Sequence, residues 1–330
     1  MSEAARLMDA AIGLSLRGLG RTAPNPNVGC LVVKDGAVIA RGWTRPGGRP
    51  HAEAVALEAA GAAARGAELY VSLEPCAHLS ARGPACADLV AASGVSAVHI
   101  AVLDPDPRTA GRGAGRIRDA GIAVTVGTGE ASARAAMAGF FSRLECGRPR
   151  ITLKLAMSID GRVSMPGGES QWITGAQARA HAHLQRALSD VIVVGRGTLE
   201  ADDPSLDVRL PGLEDRSPRP AVLSGTLDAI PPFAKFAGRD PLLLASTEDL
   251  CSLAVNDVFV EGGPATASTL LAADLVDRML VYRAPIVIGD GAPGAGRIGL
   301  ERLADAHGRW RLSEMREFGN DRLEVYARTR

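Results

Sequence analysis

The chain has 330 residues, enough for two domains, and its 46% hydrophobic and 22% charged content is that of a soluble globular protein. Lys plus Arg and Asp plus Glu stand at 37 each, a zero net charge that argues against a nucleic-acid binder relying on a broad basic surface. No apolar run reaches the roughly 20 residues of a membrane span, the opening MSEAARLMDAAIGL lacks the basic-then-apolar order of a secretory signal, and five sparse cysteines make no disulfide scaffold, so a reducing cytoplasm is expected.

Residues 3–18 carry an amphipathic helical pattern. TAPNPNVGC (22–30) has turn chemistry, though Asn25 would equally suit a pyrimidine edge. VGCLVVKDGAVIARGW reads as two strands hinged at Asp35-Gly36, a favoured hairpin turn. A helix is expected over about 50–64, with Pro50 at its first position and Glu53 at the positive end of its dipole. A strand at 67–73, a helix at about 84–93, a strand at 97–103, a helix near 112–120 and a strand at 122–126 complete an α/β layer pattern. CGRPR (146–150) looks like a joint, dividing 1–147 from 148–330.

The pattern restarts with ITLKLAMSIDGR, an apolar strand running into a turn. A helix at 175–188 and a strand at 190–195 lead to a polar, proline-rich loop over about 202–220. Strands near 221–224, 241–246 and 257–261, a helix opening at Pro264, the strand RMLVYRAPIVIG and a last strand LEVYA close the chain.

Cys76 and Cys86 bracket CAHLSARGPAC, each expected near the start of a helical turn, where a helix N-terminus favours thiolate. His51 supplies a third donor, and three protein ligands plus a water is the composition of catalytic zinc. Zinc makes hydroxide available near neutral pH, and attack on an amidine-like carbon then needs a proton carrier. Glu53 lies two residues past His51, about 200° round an ideal helix, so a turn at the helix mouth must bring one to the metal and the other to substrate. H-A-E followed by P-C and a second cysteine is similar to the zinc nucleobase-deaminase signature, in which the glutamate moves protons. Nine residues separate the cysteines here in place of the usual two. The plainer reading is an ordinary helix start and two buried cysteines. His78, inside the loop, is read as a substrate contact in preference to a spare metal ligand or a loop histidine without a role.

VFVEGGPATASTLL (258–271) is strand, glycines, helix, an arrangement that suits a phosphate at a helix N-terminus or a plain strand-to-helix turn. Gly111-Arg-Gly113-Ala-Gly115 and Gly195-Arg-Gly197 fail the dinucleotide fingerprint and are read as decoys. Arg186 and Arg209 could each grip a phosphate with a bidentate fork, or be solvated surface. Trp172 could stack on a nicotinamide; composition alone favours core.

PNPNVGC, GGRPHAE, SLEPCAH, GPAC and DPDPRTAGRG in the first half, with LKLAMSIDGR, GESQWIT, ADDPSLDVR and VEGGPATASTLL in the second, occur in one order over nearly the whole chain. In this the chain resembles the RibD family of bifunctional riboflavin-biosynthesis proteins. The resemblance implies an α/β fold, with a cytidine-deaminase-like α/β/α sandwich in 1–147 and a dihydrofolate-reductase-like α/β domain in 148–330. It implies zinc-dependent hydrolytic deamination of 2,5-diamino-6-ribosylamino-4(3H)-pyrimidinone 5′-phosphate, then NADPH-dependent reduction of its ribosyl group to ribityl.

By motif, His51, Cys76 and Cys86 would bind zinc and Glu53 would carry the proton. Met157, Trp172, Thr198, Asp202 and Gly225 match cofactor positions, with Gly263, Pro264, Ala265, Thr266, Ala267, Ser268 and Thr269 beneath the NADPH phosphates. Ser170, Arg186, Leu206, Arg209 and Glu261 match substrate positions, and Lys154 and Asp202 are polar candidates near hydride transfer. The cysteine loop is one residue longer than the family's common CSHHGRTPPC, which leaves the phosphate-contact roles of His78 and Arg82 open. Thr44 and Asp106 replace a histidine and an asparagine found in some relatives, and Gly225 removes a hydroxyl. A small-molecule substrate and a homo-oligomer are expected, without nucleic acid or membrane. The alternatives are a cytidine- or tRNA-adenosine-type deaminase with a non-catalytic nucleotide-binding second domain, and a non-enzymatic sensor, which would have no need of Glu53.

Overall fold

The computed structural model describes residues 2–78 and 83–330, which divide into two compact units, Met1–Gly147 and Arg148–Arg330. The first unit runs α1 (Glu3–Ser15), β1 (Gly29–Lys34), β2 (Ala37–Trp43), α2 (Ala52–Ala60), β3 (Glu68–Val71), α3 (Cys86–Ala92), β4 (Ala97–Ile100), α4 (Arg112–Asp119), β5 (Ala123–Val126), α5 (Glu130–Ala136) and α6 (Ala138–Glu145). Ser2 caps α1 by accepting the Ala5 N–H at 3.3 Å, and a tighter turn over Leu16–Gly18 ends it.

The sheet order is β2-β1-β3-β4-β5, with β1 antiparallel to both neighbours and β3, β4 and β5 parallel. Asp35 and Gly36 both have positive φ, as the two-residue hairpin turn requires. β1 is buried along nearly its whole length, and α1 and α2 pack on it. Gly42 lets α2 lie close: a Cβ there would stand 2.1 Å from the Ala52 carbonyl oxygen. The first turn of α2, which carries Glu53, is thereby pressed onto the sheet.

Pro50 is not the first helical residue. It lies before the N-cap, which is His51, and α2 starts at Ala52. The extended backbone of His51 (φ −71°, ψ 162°) takes it off the helical spiral, so the 200° separation from Glu53 does not apply.

The second unit runs β6 (Arg150–Met157), α7 (Ala176–Ala187), β7 (Val191–Gly195), α8 (Arg196–Asp202), β8 (Arg219–Leu223), β9 (Leu242–Leu244), α9 (Thr247–Cys251), β10 (Asp257–Val260), α10 (Pro264–Ala272), β11 (Arg278–Arg283), β12 (Trp310–Phe318) and β13 (Asp321–Arg328). Its eight-stranded sheet has the order β12-β13-β11-β6-β10-β7-β8-β9, parallel from β11 to β9 and antiparallel at the β13 and β12 edge. β7 and β10 are buried throughout, which is why VIVVG and DVFV read as unbroken runs without alternation. β11 stops at Arg283, short of the expected 289, since Pro285 has no N–H for the ladder.

Candidate functional site

Two cavities gather the candidate site residues, one in each unit. The first encloses about 300 Å³ and is lined by His51, Glu53 and Cys76 together with Asn25, Thr44, His78, Asp104, Asp106, Arg108 and Arg143. His51 Nδ1 lies 3.3 Å from Cys86 Sγ and 3.6 Å from Cys76 Sγ, and the three donor atoms all fall within 4.8 Å of one another. Donors about 2.0–2.3 Å from one tetrahedral centre stand roughly 3.5–3.8 Å apart, so this set fits zinc with a fourth position left over. Among the described residues it is the one cluster of three or more His, Cys, Asp or Glu side chains that could hold a metal.

The two cysteines are placed differently. Cys86 is the first residue of α3, as expected, whereas Cys76 lies in an irregular segment and starts no helix. α3 nevertheless serves it, because the Cys86 backbone N–H donates to Cys76 Sγ at 3.3 Å. Hydrogen bonding from the Cys86 thiol, opposed by burial, holds Cys76 well below an ordinary thiol, while the Cys86 thiol is held up. A dication would remove the asymmetry by favouring thiolate at both.

Glu53 is 3% exposed. Burial pushes its carboxyl up to about 7, although nearby His51 works against the rise. A carboxyl that titrates near neutrality is suited both to take and to return a proton. The His78 ring nitrogen Nδ1 is 3.4 Å from Thr109 Oγ1, and Asn25 Nδ2 donates to the Gly48 carbonyl at 2.8 Å, so Asn25 is committed in part to its own turn. Arg82 lies outside the described residues.

Sequence reasoning gave no role to the 104–108 side of this cavity. Burial pushes Asp104 up to about 7, whereas Arg108 holds Asp106 below the usual carboxylate range through a fork at 2.5–3.0 Å. The available signal was DPDPR following a parallel strand, since ligands gather beyond the carboxyl ends of such strands.

The second cavity encloses about 810 Å³ beyond the carboxyl ends of β6, β7 and β10. Its wall includes Lys154, Ser170, Trp172, Arg186, Thr198, Asp202, Leu206, Arg209, Glu261, Gly263, Pro264, Ala265 and Thr266. Met157, Gly225, Ala267, Ser268 and Thr269 are not in that wall. Met157 and Ala267 are core residues, Ser268 Oγ takes the Gly296 N–H at 2.7 Å, and Thr269 bonds back to the Ala265 carbonyl.

Three expectations change here. Trp172 is 64% exposed, not core; it lies on the cavity wall with the Arg179 guanidinium 4.7 Å from its ring centre. Arg186 does not offer a free fork: its Nε and Nη2 donate to Glu261 at 2.6 and 3.0 Å, and Nη1 to the Asp207 carbonyl at 2.8 Å. Lys154 Nζ is 3.9 Å from the same carboxylate. Burial alone would raise the Glu261 carboxyl, but Arg186 and Lys154 hold it down to about 2. Arg209, half-exposed and tied to Ser205 and Asp207 at 2.8 and 2.9 Å, is the cation left facing outward with Lys235.

The third change concerns the supposed decoy. Gly195 and Gly197 are in the cavity wall. Gly195 and Gly262, though not Gly197, let the start of α10 close on the sheet: a Cβ on Gly195 would stand 2.1 Å from Thr266 Oγ1, and one on Gly262 2.6 Å from Thr266 Cβ. Gly262→Ala is therefore expected to cost about 1–3 kcal/mol, which thermal unfolding of the variant measures. Gly113, in the other cluster, belongs to the first unit.

The family model for the cytidine and deoxycytidylate deaminase zinc-binding region matches residues 1–102, and that for the RibD C-terminal domain matches 149–323. The riboflavin biosynthesis protein RibD of Escherichia coli K12 is 38% identical, the match covering 95% of this chain and 96% of that protein. Its Mycobacterium tuberculosis H37Rv counterpart is 36% identical over 97% of both. The solved Acinetobacter baumannii RibD, form 1, superposes with a TM-score of 0.89 at 33% identity over 99% of both chains. A Thermotoga maritima diaminohydroxyphosphoribosylaminopyrimidine deaminase/5-amino-6-(5-phosphoribosylamino)uracil reductase does so with 0.87 at 29% identity, again over 99% of both. With the donor set in one unit and the strand-end cavity in the other, these matches across the whole chain show that it belongs to the RibD family of bifunctional riboflavin-biosynthesis enzymes, in which a zinc-binding deaminase precedes a reductase.

Proposed function

We propose that the chain performs two steps in succession. The first unit hydrolyses the exocyclic amine of 2,5-diamino-6-ribosylamino-4(3H)-pyrimidinone 5′-phosphate, releasing ammonia, and the second reduces the ribosyl group of that product to ribityl. The observation that carries this reading is the His51–Cys76–Cys86 donor set, two of whose members line one cavity with buried Glu53. Zinc, when bound, supplies a water activated near neutral pH. Glu53 is placed to take a proton from water as the water oxygen bonds to the ring carbon, and to return it to the nitrogen that leaves as ammonia when the carbon–nitrogen bond breaks. His78, Asp104 and Asp106 are placed along the cavity to orient the pyrimidine and its ribose.

In the second unit NADPH, when bound, would supply the hydride. Trp172, Thr198, Asp202 and the Gly263–Thr266 turn form the wall assigned to it, and Pro264 starts a nine-residue helix whose N-terminal end favours phosphate. Lys154, held beside Glu261, is assigned the proton taken up by the ribose ring oxygen when its bond to the anomeric carbon opens and that carbon is reduced. Arg209 is assigned the substrate phosphate, and Arg186 acts by fixing Glu261. The five thiols, free of disulfides, suit a reducing cytoplasm.

Cys76→Ser tests the division of labour. Zinc content and ammonia release are expected to fall by at least about 100-fold, while NADPH oxidation on already deaminated substrate persists. Ammonia release at the wild-type rate in that variant would remove Cys76 from the metal site.

A further inference from the structure

Glu74 has no assigned part in the chemistry, yet it is 2% exposed, lines the first cavity and stands two residues before Cys76. Its carboxylate accepts three backbone N–H groups from one segment. Asp104 and Gly111 donate to Oε2 at 3.1 and 2.9 Å, and Ala114 donates to Oε1 at 3.0 Å. Its own N–H donates to the Val102 carbonyl at 3.0 Å.

α4 explains the need. Its N-cap is Gly111, in the left-handed region at φ 84°, which has no side chain to accept from the first turn. Glu74 does this from another part of the chain and places negative charge at the positive end of the helix. The two segments fit without slack, since a Cβ on Gly113 would stand 2.0 Å from the Pro75 carbonyl oxygen. Thr109, midway along the same segment, accepts the Ala77 N–H through its hydroxyl at 3.4 Å. The Asp106 N–H donates to Asp104 Oδ1 at 2.9 Å, so the anchored end of the segment also sets the two acids in the cavity wall.

We propose that Glu74 is a positioning residue for the deaminase centre. It locks the 104–114 segment onto the Cys76 turn, and so fixes Cys76 toward the metal and Asp104 toward the substrate. The proposal rests on the zinc-deaminase reading above. Three donors need two acceptor oxygens; a glutamine turns its amide NH₂ toward at least one of them, where it cannot accept.

The test compares full-length wild type with Glu74→Gln and the milder Glu74→Asp, which keeps the charge and shortens the reach. Zinc release to a chelator, KM and kcat for ammonia release, and thermal unfolding are measured on each. Glu74→Gln is expected to release zinc roughly tenfold faster, at the low end of what groups supporting metal ligands contribute. Its KM is expected to rise more than its kcat falls, with Glu74→Asp intermediate. Zinc release and KM unchanged in both variants, even with a lower unfolding temperature, would overturn the proposal and leave Glu74 a fold-supporting residue. A wild-type chain with no zinc on His51, Cys76 and Cys86 would overturn the underlying reading instead.

Discussion

Glu53→Gln is expected to lower ammonia release by about 10²–10⁴-fold while zinc content and NADPH oxidation on deaminated substrate stay at wild-type levels. The size follows from what the change removes. Glutamine fills the same buried space at the start of α2, and Gly42 still holds that helix against the sheet. Only the titratable oxygen is lost. A carboxyl raised to about 7 by burial exchanges protons with little penalty in either direction, and an amide does not. Glu53 is no part of the donor set, so zinc should remain. Zinc analysis with the two activities measured separately decides the matter; normal deamination by the variant would show that another group carries the proton.

Arg186→Ala is expected to be the most damaging change in the second unit. Glu261 would remain enclosed with only Lys154, 3.9 Å away, as a cationic partner. Removing one member of a buried pair costs about 3–5 kcal/mol, because the remaining charge stays desolvated. The pH dependence has a definite sign. The folded Glu261 value, about 2, lies below the usual 4.5, so its pairing contributes stability above about 4.5 that fades as pH falls toward 2. The gap in unfolding temperature between wild type and variant should thus be wide at pH 7 and narrow below pH 4.5. A gap independent of pH would mean that Arg186 acts through packing alone. NADPH oxidation should fall with the pair, since both residues line the cavity.

What the sequence showed and what it hid follow from the reach of each signal. His51 and Cys86 stand at helix starts and Cys76 in the irregular segment between β3 and α3, where short motifs survive, and few alternatives explain that combination. Their relation to Glu53 was obscured because His51 leaves the helical spiral at the N-cap, a matter of one ψ angle. Arg186 shows the opposite case: its type and helical position were legible, but its partner lies 75 residues away. Composition alone favoured core for Trp172 and only the resemblance put it at a cofactor position, because a cavity wall uses the same apolar residue with its face uncovered. β12 escaped notice because most of its residues are exposed on either side of the strand, leaving no alternation to detect. Its one cue was Gly319-Asn320 between it and β13, a pair suited to a hairpin turn.

One chain is expected to carry two linked activities. Purified full-length protein is given the diaminopyrimidine ribosyl phosphate and NADPH, and ammonia release and NADPH oxidation are followed separately. Both signals should appear, with NADPH oxidation lagging behind ammonia and absent when deamination is blocked. Neither signal, or ammonia without NADPH oxidation, would contradict the two-step function.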